Sequence, residues 1–161
     1  MIVSRGMAVA VAVAMGAASV TPYANAADEV AINGTFTAFS DGQWAQTNLS
    51  YHDEASVTQT WQITSVCATF QDCTGTVTSD QGWTGDLKFT SGLWRVRHTV
   101  ENWENCIDGT ASPGEQTFTF WPEDPPTGNY VGMDQTIGPS GACGYNRWLN
   151  IRMPLKLTPA G

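Results

Sequence analysis

Val57-Thr-Gln-Thr-Trp61-Gln-Ile63 decides the fold class. Val57, Trp61 and Ile63 fall on one face of an extended chain and Thr58, Thr60 and Gln62 on the other, the period-two alternation of a strand with one buried side. Trp94-Arg-Val96-Arg-His98-Thr-Val100-Glu101 repeats the pattern, gathering Trp94, Val96, His98 and Val100 opposite Arg95, Arg97, Thr99 and Glu101. Leu149-Asn-Ile151-Arg-Met153-Pro-Leu155-Lys-Leu157 is apolar at every odd position. Shorter segments rich in Thr, Val, Phe and Trp, the residues a pleated half-buried surface prefers, occupy 34–39, 75–78, 85–90, 116–120 and, more weakly, 130–137. These segments make about eight strands.

Turn chemistry separates them. Ser40-Asp41-Gly42, Ser79-Asp80-Gln81-Gly82 and Thr90-Ser91-Gly92 are short polar links, and 105–113, 122–129 and 138–146 are longer ones. Short local links favour an antiparallel meander, and a meander that closes on itself abolishes its two exposed edges. The expectation is a small antiparallel up-and-down β-barrel, with a two-sheet β-sandwich as the alternative. Pro154 stands against closure. It takes the outward parity of the last strand and cannot donate a ladder hydrogen bond, so the strand is expected to end near Met153 or to lie at an open seam.

Residues 1–26 read as a leader rather than as part of the domain. A lone Arg5 precedes the apolar run 8–20, too short for the roughly 20 residues of a membrane span. Ala24 and Ala26 then place small residues three and one positions before a scissile bond, the pattern of a secretory signal peptide cleaved between Ala26 and Ala27. Residues 27–161 are expected to form one soluble, secreted, all-β domain with no stable membrane insertion. Arg5 leaves with the leader while all fifteen carboxylates stay, moving the formal charge from −8 to −9. So acidic a domain repels phosphate backbones, which argues against nucleic acid as a partner.

Four cysteines, an even number in an exported chain, imply two disulfides. Of the three pairings, Cys67 with Cys73 closes a tight loop between two strands, and Cys106 with Cys143 joins two Gly- and Asn-rich connections; this pairing is preferred. No Cys-x-x-Cys and no clustered histidine accompanies them, so neither a metal nor a cofactor is expected.

The run Trp61-x-Ile63-x-Ser65-x-Cys67, then Asp72-Cys73-x-Gly75-x-Val77-x-Ser79-Asp80-x-Gly82-Trp83, followed by Gly92-x-Trp94-x-Val96-Arg97 and Trp103-x-x-Cys106-x-Asp108-Gly109, resembles small exported proteins of mycobacteria and related actinomycetes. The resemblance implies an exported location and a disulfide-bearing β fold; it brings no catalytic residues.

Candidate site residues are few. His98 takes an inward parity, so in a barrel it points into the lumen, as a ligand-orienting group, as a general base, or more plainly as a neutral, hydrogen-bonded core histidine. His52 lies in the polar link Tyr51-His-Asp53-Glu54 and reads as part of a solvated turn. No nucleophile elbow, His-Glu-x-x-His or phosphate-cradling loop is present, and the neighbouring carboxylates Glu101/Glu104 and Glu123/Asp124 cannot face each other across a glycosidase cleft. Seven tryptophans are the outstanding feature. Trp61 and Trp94 belong to the core by parity, whereas Trp44, Trp83 and Trp121 flank turns and are expected either to plug the barrel ends or to stand at one rim as contacts for a protein or a glycan. The expected function is therefore a non-catalytic binding module outside the cell. A carrier of a small apolar ligand ranks second, because Trp61, Ile63, Phe89, Trp94, Val96, Phe118, Phe120 and Ile151 would fill the lumen; an enzyme using His98 ranks third.

Overall fold

The computed structural model describes residues 29–161, so the expected leader and its cleavage between Ala26 and Ala27 lie outside the described residues. Ten strands occur among them: β1 (Gly34–Ser40), β2 (Gln46–Thr47), β3 (Ser50–Tyr51), β4 (Val57–Thr69), β5 (Asp72–Ser79), β6 (Thr84–Thr90), β7 (Leu93–Asn105), β8 (Ala111–Pro122), β9 (Tyr130–Ile137) and β10 (Asn150–Pro159). All but β2 and β3 form an antiparallel ring in chain order, closed where β1 pairs with β10. The barrel is the architecture expected, and the sandwich is excluded. The strands outrun their sequence signals: β7 reaches Asn105 and β8 starts at Ala111, so much of the link expected over 105–113 is ladder.

Closure survives Pro154 because of how β1 and β2 relate. Both run antiparallel to β10, β1 along Leu155 to Pro159 and β2 along Ile151 and Arg152, and a 3-10 turn over Gly42–Trp44 bulges out between them. The Asp41 side chain caps that turn by accepting from the Gln43 N–H. Asp41 also donates its own N–H to the Pro154 carbonyl at 2.8 Å, and the reciprocal acceptor that Pro154 cannot use, the Asp41 carbonyl, instead takes the Trp44 N–H at 3.3 Å. The strand neither stops at Met153 nor leaves a seam; the missing donor coincides with the first residue of a turn that has another use for the carbonyl.

Inward side chains sort by height along the barrel. At one end Phe36, Ile63, Val77, Leu87, Phe89, Trp94, Val96, Phe120, Leu155 and Leu157 form a continuous buried cluster. Burying side chains of this size stabilises by roughly 1.5–3 kcal/mol each. Ile32 plugs that end, its N–H donating to the Ser65 hydroxyl and its carbonyl accepting from it. Trp61 and Phe118 meet edge to face at mid-height, 4.8 Å between centroids. Above them the inward positions turn polar: Ser40, Gln59, Ser79, His98, Gln116, Asp134 and Thr136. The lumen is therefore apolar and filled in one half and polar in the other.

Both disulfides pair as expected. Cys67 and Cys73 face each other across β4 and β5, and Cys106–Cys143 ties the β7–β8 turn to the loop before β10. Among the described residues no helix is long and apolar enough to cross a membrane.

Candidate functional site

The polar half of the lumen opens into a cleft of about 520 Å³ at the barrel mouth. Its floor and walls come from five barrel strands and the turn before β6. Val57 and Gln59 stand on β4, Trp83 just before β6, His98 and Trp103 on β7, Gln116 on β8, Thr136 on β9, and Ile151 and Met153 on β10.

Gln59 anchors one wall. It is 5% exposed, and its Oε1 accepts from the Trp61 indole at 3.1 Å, the Trp83 indole at 3.0 Å and the Ser79 hydroxyl at 2.8 Å. Indole N–H groups only donate, so the carbonyl end of the amide must face them and the NH₂ end must face away. Trp83 is thereby locked at the lip, its ring parallel to His98 at 4.1 Å and to Phe118 at 5.7 Å.

His98 ends a buried relay. The Ser40 hydroxyl donates to Asp134 Oδ2 at 2.7 Å, Gln116 Nε2 donates to Asp134 Oδ1 at 2.8 Å, and Gln116 Oε1 lies 2.8 Å from His98 Nε2. With Asp134 ionised the amide nitrogen must face it, so His98 must donate from Nε2. His98 Nδ1 in turn lies 3.2 Å from the Thr99 carbonyl. Two acceptors thus face the ring, which an imidazolium satisfies and a neutral ring cannot. Burial opposes this: it pushes His98 below the usual histidine range, against the pull of Thr99 and Gln116. Burial likewise pushes Asp134, 1% exposed, above the usual carboxylate range, against its bonds from Gln116 and Ser40. A protonated Asp134 allows the amide to turn, and His98 is then satisfied neutral, donating from Nδ1 to Thr99. The proton on Asp134 and the proton on His98 are linked through one rotatable amide.

Trp103 forms the far wall for a reason that strand parity hides. Odd residues of β7 face outward, but the register between β7 and β8 shifts between Val100 and Glu104, where Asn102 adopts φ 53°. The bulge re-aims Trp103 over the mouth. Gly114 makes room for it, since a Cβ there would come within 2.7 Å of the indole.

The sequence candidates are thus divided. His98 and Trp83 meet in the cleft. Trp44 is 69% exposed beside the mouth, on the turn between β1 and β2. Trp121 is 40% exposed on the outer wall near the opposite end, where Pro122 pairs with Tyr130. The three tryptophans therefore share no single rim, because β8 runs away from the mouth before it reaches Trp121. His52 pairs with Glu54 at 3.1 Å in an exposed turn. Sequence reading passed over Gln59, Gln116 and Asp134, although each takes the inward parity of its strand. An inward amide or carboxylate among aromatic neighbours was the available signal. No group of three or more metal-ligating side chains converges among the described residues.

No family model matches the chain, and no curated protein matches it, so the resemblance to exported actinomycete proteins has no support from sequence comparison. In three dimensions it is similar to the monomer form of the M. tuberculosis PknI sensor domain, with a TM-score of 0.61 at 17% identity over 82% of this chain and 89% of that one. At that identity the likeness is one of fold.

Proposed function

We propose that the chain is a non-catalytic binding module acting outside the cell, and that its contact site is the mouth cleft. The observation carrying this reading is the mouth itself: a concave opening whose floor is fixed by the Ser40–Asp134–Gln116–His98 relay and whose walls are two indoles held in place by Gln59 and Gly114. Preformed apolar surface with a few fixed polar groups is the usual character of a ligand site. The two disulfides fit an oxidising compartment, and the described sensor domain shares the barrel.

Cleft chemistry narrows the ligand. Neither Lys nor Arg lines it, while Glu54 and Glu101 do, so anions are repelled. Flat indole faces beside amide, hydroxyl and carboxylate groups suit an uncharged ring bearing hydroxyls, such as a neutral glycan, better than a polyanion. Binding of neutral oligosaccharides to the purified protein, lost in Trp103→Ala and Trp83→Ala while the disulfide-bonded fold persists, supports the reading; unchanged binding in both variants contradicts it.

A carrier of apolar ligands is the second reading, favoured by Val57, Val100, Ile151 and Met153 on the cleft walls. Native mass spectrometry separates the two: the binding module has the bare chain mass, the carrier an added small molecule.

A further inference from the structure

On the outer wall of β6 and β7, Lys88 stands directly opposite Arg95. Like charges in that position repel, and a chain with fifteen carboxylates and seven basic residues has no shortage of acids to place there. Arg97 lies beside them, but Glu115 holds it at 3.8 Å and Asp86 adjoins it across the strands. Among the described residues Lys88 and Arg95 form no ion pair. Both are exposed and line a shallow groove of about 420 Å³ with Asp86, Thr90, Leu93 and Arg97, in which three cations face one carboxylate.

The same wall is apolar alongside. Trp94 pairs with Phe120, so the next residues, Leu93 and Trp121, adjoin on the outside; Trp121 pairs with Val131, and one row over Thr119 pairs with Met133. Leu93, Trp121, Val131 and Met133 therefore run as a band across three strands, with Lys88 and Arg95 at its border.

We infer that this wall docks an acidic, extended segment of another protein, its carboxylates bridging Lys88 and Arg95 and its apolar side chains lying on Trp121 and Leu93. Tryptophan and arginine are the residues that most often dominate interface energetics. Charge complementarity is local, because the chain as a whole carries a net charge of −8. A polyanionic glycan or an anionic bilayer would meet that net charge over a much larger area, and neither has use for the apolar band. The site is separate from the mouth cleft and does not depend on it.

The test uses ¹⁵N-labelled protein and a synthetic peptide in which Glu alternates with Leu. Perturbations centred on Lys88, Leu93, Arg95 and the Trp121 indole are expected. Lys88→Glu should lower affinity at least about tenfold while leaving the thermal midpoint unchanged or raised, since it replaces a like-charge pair with an opposite one. Trp121→Ala should weaken binding as well. An inert peptide, binding of polygalacturonate or phosphatidylglycerol vesicles in its place, or a lower midpoint in Lys88→Glu would each overturn the proposal.

Discussion

Asp134 and His98 set the behaviour of the mouth with pH, and the signs follow from burial. Asp134 has a folded pKa above its unfolded value of 3.8, so the fold holds its proton longer than the unfolded chain does. Its contribution is fully present below that value and fades as pH rises through the folded pKa. Asp134→Asn removes the buried charge and keeps an oxygen for Gln116, so it should raise the thermal midpoint at pH 8 and raise it less at pH 4. His98 runs the other way. Its folded pKa lies below 6.5, so the unfolded chain binds the proton first and stability falls as pH drops from about 6.5 toward the folded value. His98→Ala should flatten the melting curve's pH dependence in that window. At pH 7.5 it should cost about 1–3 kcal/mol, because Gln116 Oε1 loses its donor. A steep dependence surviving in both variants would show that the relay is not what titrates. Glu123 adds an exposed acid-side effect: bonds from Thr127, Asn129 and Lys156 pull it down to about 2, so the loop they organise should loosen between pH 4.5 and that value.

At the scale of elements, strand parity accounts for most of what the sequence made legible. It placed His98, Trp61 and Trp94 inside, and the same rule applied without regard to polarity would have placed Gln59, Gln116 and Asp134 there too. These were missed because polar residues are habitually assigned to the wet face; here each finds its partners across the lumen. Trp103 was not legible by parity at all, since the bulge at 100–104 breaks the period that the rule assumes. Gly114→Ala tests this device. Its Cβ meets the indole at 2.7 Å, so the variant should displace Trp103 and cost cleft binding more than it costs stability, readable by comparing ligand affinity with the melting midpoint. The strand break expected at Pro154 fails for a related reason: the edge on which its N–H is missing faces the capped turn at Asp41, a feature that strand parity does not reveal. The Cys106–Cys143 bridge fastens the loop over 138–149 to the end of β7, across a separation of 37 residues. Chain-entropy reasoning assigns such a bridge about 4 kcal/mol and the six-residue Cys67–Cys73 loop about 2 kcal/mol. Cys106→Ser with Cys143→Ser should therefore lower the midpoint more than the corresponding change at Cys67 and Cys73; the reverse order would place the chief constraint in the β4–β5 hairpin.

The whole molecule combines a plugged apolar end with an open polar one, and that asymmetry is what a binding reading needs. Trp61, Phe118 and Phe120 fill the middle of the lumen, while the mouth keeps donors and aromatic surface lining an open cleft. Closure of the ring and the Cys106–Cys143 bridge keep the rim residues in register, so their positions do not depend on a partner arriving. The most direct check is crystallography of the protein soaked with a panel of small neutral fragments and disaccharides. Density stacked at the mouth between Trp83 and Trp103, within reach of His98 and Gln59, is the expected result. Density confined to other surfaces, with the mouth holding only water across the panel, would contradict it.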